Sequence, residues 1–336
     1  MAELTTLGQL LGAANSQYQV YDLGRRVQHI DMMAFHQIEA LNSPYPFPIQ
    51  GHAQFALVFW NQHGQEFVWF LKLPLDEQGL LNPAARSQFI KMVLEALGKD
   101  LTQALSDEQQ QQLDNHPFAF RPSQEKLALF NALVRKQLGQ QASGQYEFAM
   151  QYLSGQLPPD QWQQLGFQGL ADICVRLNDL DHLQAVSYAL ENAAPQAIAA
   201  LCQCLEHVSI PAVLADKLLA GLKTADDQKL FYLRALASCA DASTQALQWL
   251  AGQQQLNADT LLTIAARNWT ALKQEQARTI YLEALALQEQ HFFNQIFADI
   301  VSIPALRNEL LTAIRSPERS VQLSAAIGGL FRATRT

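Results

Sequence analysis

The sequence predicts an α+β chain that is mostly α: a small amino-terminal antiparallel β-sheet with helices, followed by a carboxyl-terminal α-solenoid of helix pairs. Three observations carry that expectation. The first third holds a hairpin pattern, "GHAQFALVFWN" and "EFVWFLKLPLD" around "QHGQ". Strand signals stop near residue 145. From there apolar stripes at helical spacing follow one another with a period of roughly 30 residues. The 336 residues are enough for two domains, expected at 1–142 and 143–336.

Composition narrows the function classes. Apolar residues make up 49% of the chain and charged residues 16%, so it can bury substantial cores. A net charge of −8 argues against a broad non-specific grip on nucleic acid. No apolar run approaches the roughly 20 residues needed to span a bilayer. The start, "MAELTTLGQLLGAANS", carries Glu3 and no positive n-region. It reads as a short amphipathic helix through Leu4, Leu7, Leu10 and Leu11, not as a signal peptide. Four cysteines make no disulfide framework at this length, and a reducing cytoplasm is expected.

The elements follow in order. "QYQVYD" alternates and is rich in β-formers, which predicts a strand. Gly24 suits the turn after it. Asp31 caps a short helix that carries Met32, Phe35, Ile38 and Leu41 inward. In the hairpin, Phe55, Leu57 and Phe59 share one face, and Ala56, Val58 and Trp60 share the other. A hairpin apolar on both faces needs cover on both, from helices of its own domain or from a partner or the following domain.

Just before it stands "SPYPFPIQ". Pro44, Pro46 and Pro48 remove N–H donors from one edge of an extended segment only. The expectation is a lead-in whose outer edge cannot template another strand. A polyproline-type ligand is the competing possibility.

Asn82 and Pro83 start a helix with Phe89, Ile90, Val93, Leu94 and Leu97 buried, ending at Gly98. In "SDEQQQQLDNHPFAFRPS", Ser106 and Gln109 fit a capping box on a short solvated helix. Ser123 starts a further helix through Leu127, Phe130, Leu133, Val134 and Leu138, stopping at Gly139.

In the remainder, first helices of successive pairs are expected near Leu180, Ile210, Asp241, Lys273 and Ile303. Second helices are expected near Pro195, Ala225, Asn257, Gln288 and Pro317. "SIPAVLADKLLAGL" and "SIPALRNELLTAI" repeat one another about three periods apart. No such pair can bury its stripe alone; stacking on neighbours does so. The region resembles short HEAT-type repeats, which implies a curved surface suited to proteins or peptides. The strings "YDLGRR", "PYPFP" and "WFLKLPLDEQGLL", in this order, also resemble a bacterial family described only as a domain of unknown function, covering the whole chain. That family implies no activity.

Charge is uneven along the repeats. Residues 160–206 hold six acids and one arginine. The tail from Ser302 carries Arg307, Arg315, Arg319, Arg332 and Arg335 against Glu309 and Glu318. Such a gradient can steer a partner or favour head-to-tail contact, and solvated helix faces also produce it.

Catalytic signatures are sparse. There is no phosphate loop, dinucleotide fingerprint or nucleophile elbow. Cys202 and Cys204 diverge on one helix, while Cys174 and Cys239 sit in apolar stripes. His52 and His63 lie on opposite arms of the hairpin, where a meeting across it would still lack further converging ligands. No cofactor and no metal are expected. Arg25 and Arg26 form one compact basic spot, read either as a salt-bridged turn or as a site for a phosphate or acidic peptide. Asp76 and Glu77 diverge on an extended chain and make a poor acid–base pair. Arg25, Arg26, Asp76 and Glu77 are therefore the candidate binding residues. The function expected is a non-catalytic interaction module, an adaptor, scaffold or regulator that binds a protein or peptide. The alternatives are an enzyme with a site at the domain junction, using these four residues and Asp22, and nucleic-acid binding through the basic carboxyl-terminal end.

Overall fold

The structure is a computed structural model that describes residues 4–61, 64–98, 101, 116–225 and 227–333. His63, Ser106, Gln109 and Arg335 lie outside them. Two compact units divide between Pro122 and Ser123, with Ser302–Pro304 grouped with the first.

The first unit is built on a four-stranded antiparallel sheet: β1 (Gln17–Asp22), β2 (Gln28–Ile30), β3 (His52–Trp60) and β4 (Glu66–Pro74), in the order β2-β1-β3-β4. The hairpin register sets Phe55 opposite Leu71, Leu57 opposite Trp69, and Phe59 opposite Phe67. Among the described residues, three helices accompany the sheet, α1 (Leu7–Ala13), α2 (Met32–Glu39) and α3 (Pro83–Leu97). Their stripes, Leu10 and Leu11, Phe35 and Ile38, and Phe89, Ile90 and Val93, close one core with Phe55, Leu57, Phe59 and Leu73. Rings meet edge to face, Phe35 on Phe55 at 5.7 Å and Trp69 on Phe89 at 5.4 Å. Each fully buried large side chain of this core contributes roughly 1.5–3 kcal/mol.

The caps follow the side-chain chemistry. Asp31 accepts from the N–H groups of Met33 and Ala34, and Asn82 from that of Ala85, with Pro83 in the first turn of α3. Strand β2 is a feature the sequence did not announce.

The proline segment differs from its expectation. Residues 43–48 run as a bent loop, not as an extended edge. The Tyr45 N–H donates to the Gly79 carbonyl at 2.8 Å, and Pro48 is buried. The outer edge of β4 is met by residues 118–120 instead: Lys72 N–H donates to Phe118 O at 2.7 Å, and Phe120 N–H to Phe70 O at 3.3 Å. Edge protection comes from a returning chain segment, because filling the donors and acceptors of an edge blocks pairing as well as removing them does.

The second unit is helical: α4 (Gln124–Gln137), α5 (Tyr146–Leu153), α6 (Phe167–Cys174), α7 (Leu180–Asn192), α8 (Pro195–Leu205), α9 (Ala212–Thr224), α10 (Lys229–Ala235), α11 (Ala240–Gly252), α12 (Ala258–Ala266), α13 (Glu275–Ala286), α14 (Gln290–Ser302), α15 (Pro304–Ala313) and α16 (Val321–Ala333). From α7 onward the helices begin within a few residues of the starts the apolar spacing predicts. Packing follows a rule. α4 packs on α6, α6 on α8, α8 on α10 and α10 on α12, while α5, α7, α9, α11 and α13 make the same next-but-one contacts among themselves. Helix α4 thus packs within this unit, whereas the sequence places residues 123–142 in the first domain. Among the described residues, no helix is long and apolar enough to cross a membrane.

Candidate functional site

Of the candidates named from sequence, Asp22 bonds Tyr45 directly, while Arg25, Arg26, Asp76 and Glu77 lie in the two loops that Tyr45 joins. Strand β1 ends on Asp22, whose buried carboxylate accepts from the backbone N–H groups of Gly24, Arg25 and Arg26 and from the Tyr45 hydroxyl at 2.7 Å. Burial, and then the Asp22 charge, push the Tyr45 phenol well above its usual range. Arg25 is fully buried and donates from Nε to the Pro48 carbonyl at 2.8 Å. A Cβ at position 24 would stand 3.0 Å from Ile49 Cγ2, which explains the glycine.

On the other side of Tyr45, Asp76 Oδ1 accepts from the N–H groups of Gln78 and Leu80 at 2.9 and 2.8 Å. That turn presents the Gly79 carbonyl to Tyr45 and leaves Glu77 in solvent. Tyr45 therefore ties two loops together. Asp22, Arg25 and Asp76 are all engaged in holding backbone, which is the chemistry of a braced fold.

The second unit holds a buried charge cluster. Glu206, just past the end of α8, has its side chain wholly buried and accepts from Nε of Arg234 on α10 and, at 3.1 Å, from Nε of Arg267 past α12. His207 Nε2 lies 3.2 Å away. Burial raises the Glu206 carboxyl pKa, but His207 and the two guanidiniums outweigh it and hold the value at about 2. Arg176, Glu206, Arg234 and Arg267 occupy the same position of successive pairs. Each follows a short apolar couple: "CV", "CL", "YL" and "AA". Lining these sequences up by period is the signal that exposes the cluster.

An open concavity lies between α5 and α7. Asp181, Gln184, Ala185 and Tyr188 recur on α7 at the spacing of one helical face, and they meet Met150 on α5 and Ser154 just past its end. They line a groove of about 400 Å³. Tyr188 is 47% exposed, and its ring lies over Gly155, where a Cβ would stand 2.4 Å from Cε1. Gly155 also has φ +74°, the left-handed region that glycine enters at least cost. Beside the ring is a recess of about 60 Å³ lined by Tyr152, Gly155, Leu157 and Pro159. Asn192 Nδ2 donates to the Tyr188 carbonyl at 2.9 Å, bracing the end of α7.

The amino-terminal ends of the two walls are joined by Tyr146 and His182, hydroxyl to Nε2 at 2.8 Å, with His182 Nδ1 3.4 Å from Asp179 Oδ1. A tyrosine–histidine–aspartate chain resembles an acid–base relay. Yet burial, with Glu147, Asp179 and Asp172 outweighing the opposing Arg176, pushes the Tyr146 phenol up, which is the wrong direction for an activated oxygen. The hydrogen bond between Tyr146 and His182 joins the two walls of the groove.

Cys174, Cys202 and Cys204 are buried side by side as free thiols; burial pushes the last two up in pKa, with Cys174 as a neighbour. Among the described residues, no three His, Cys, Asp or Glu side chains converge as a metal site.

No curated protein and no solved structure matches the chain. A family model does match, over residues 2–331. The chain belongs to the family described as "Protein of unknown function (DUF3549)".

Proposed function

We propose that this protein is a non-catalytic interaction module, an adaptor, scaffold or regulator whose helical unit binds a segment of a partner protein in the groove between α5 and α7. The observation that carries this reading is the groove itself: a shallow, part-apolar channel with an aromatic ring fixed half in solvent. Channels of that kind suit extended or helical peptides, whereas catalysis calls for a deep pocket with activated polar groups. The next-but-one packing of the helices supports a HEAT-like solenoid as the architecture behind it, since such stacks present long rows of helix faces. Buried free thiols fit a reducing compartment, and we place the protein in the cytoplasm.

Site-specific photocrosslinking tests the proposal. A photoreactive amino acid replaces Gln184 in the groove, and in a second chain Glu77 on the first unit. The expected result is a discrete protein adduct from position 184 and none from 77. Equal adducts from both positions, or none from 184, would defeat the groove as the binding surface.

A further inference from the structure

The groove's chemistry also specifies its occupant. We infer that the segment received between α5 and α7 is basic, with a lysine or arginine side chain laid along Met150, its cation over the Tyr188 ring, and further positive charge facing Asp181 two turns earlier on the same helix. This rests on the reading of the groove as a docking surface.

Charge comes first. Across residues 137–216 the chain has eight acids and a single Lys or Arg, Arg176. That arginine is already engaged by Asp172, which is buried and also accepts from the Ser143 N–H. Asp181 lines the groove, Asp179 caps the same helix, and Glu147 opens the facing one. All three are exposed. Glu191, at the far end of α7, is paired with Lys217. The field in the groove is therefore negative, and an acidic segment would meet repulsion along its length.

Geometry adds the contact. An aromatic face attracts a cation within about 6 Å of its centroid, and more so where the cation is partly desolvated. Tyr188 offers such a face with its position fixed by Gly155 beneath. The part-exposed thioether of Met150 supplies apolar surface for the methylene stem of a long basic side chain.

The test uses the full chain and a random twelve-residue peptide display library as the probe. Peptides selected by the protein should be enriched in Lys or Arg. Tyr188→Leu should weaken the best of them roughly fivefold while Tyr188→Phe leaves affinity in place, because the ring face and not the hydroxyl makes the contact. Asp181→Asn should weaken it about threefold, with a shallower salt dependence. Both positions are exposed, so the variants keep the fold, as circular dichroism would verify. Selected peptides without Lys or Arg that still need Tyr188 would overturn the basic occupant and leave the groove standing. Binding indifferent to both substitutions, or no peptide selected, would overturn the groove as well. Self-association of the chain that Tyr188→Leu abolishes would replace the separate partner with a second copy, whose tail carries the exposed Arg315 and Arg332.

Discussion

Arg267 donates to Glu206 at 3.1 Å although 61 residues separate them along the chain. Arg234, on the helix between, donates to the other oxygen. One carboxylate thus fastens the ends of α8, α10 and α12.

Replacing Glu206 with glutamine leaves two guanidiniums facing a neutral amide in a buried place. Breaking a buried pair in this way costs about 3–5 kcal/mol. Urea unfolding of E206Q should show a loss of that order. The double variant E206Q/R234M should lose less than the sum of the two single changes, since the charges it removes belong to one cluster.

The same carboxyl gives a pH signature. Its value in the fold is about 2, below the ordinary 4.5. A depressed carboxyl stabilises the fold fully above its unfolded value, and that contribution, about 3 kcal/mol, is lost as pH falls from near 4.5 toward 2. Glu39 has the opposite sign: burial raises it despite the Gly8 and Leu7 N–H groups it accepts from, so its share of stability weakens as pH rises. Urea midpoints of wild type and E206Q should converge as the solution is acidified below 4.5, which isolates Glu206 from Glu39.

Tyr45→Phe removes one hydroxyl and keeps the ring among Phe47 and Phe55. The lost bond goes to a buried carboxylate, so the cost is about 1.5–3 kcal/mol. Thermal unfolding should move down accordingly. A shift near zero would mean that Asp22 is satisfied by its backbone donors alone.

Gly155→Ala adds a methyl group where Tyr188 stands and forces a side chain into the left-handed region. The backbone share alone is roughly 1–2 kcal/mol. Stability should fall by at least that amount. Combining the change with Tyr188→Ala should recover the steric share and leave the backbone share, as differential scanning calorimetry would show.

Thiol labelling reads the helical core. Under native conditions iodoacetamide should modify Cys239, which is partly exposed, and spare Cys174, Cys202 and Cys204, which are buried. Four adducts should form in urea. Mass spectrometry of the two samples decides it, and rapid native labelling of Cys204 would show that α8 opens readily.

Much of this was legible in the sequence because it is local. The hairpin alternation, the Asp31 and Asn82 caps and the starts of α7 to α16 all come from spacing within a few residues. Strand β2 escaped because three residues are too few to show a period. The cover on β4 escaped because it pairs Lys72 with Phe118, and such pairing leaves no local trace. Arg25, Arg26, Asp76 and Glu77 stood out as compact charge beside turns, and charge beside a turn is also what turns use to hold their own backbone. Tyr188 and Gly155 are ordinary residues whose meaning arises only when α5 and α7 are laid side by side.

The next-but-one packing also sets a timetable. Helices α6, α8, α10 and α12 each pack on the helix two before them, which has already left the ribosome when they emerge. Strands β1 to β4 all fall before residue 75, so the sheet can pair early in synthesis as well. Chains with contacts this short in sequence fold as they emerge. Glu206 is the exception: its partner Arg267 is translated last of the three, so that carboxylate waits with one arginine until the second arrives and locks the row.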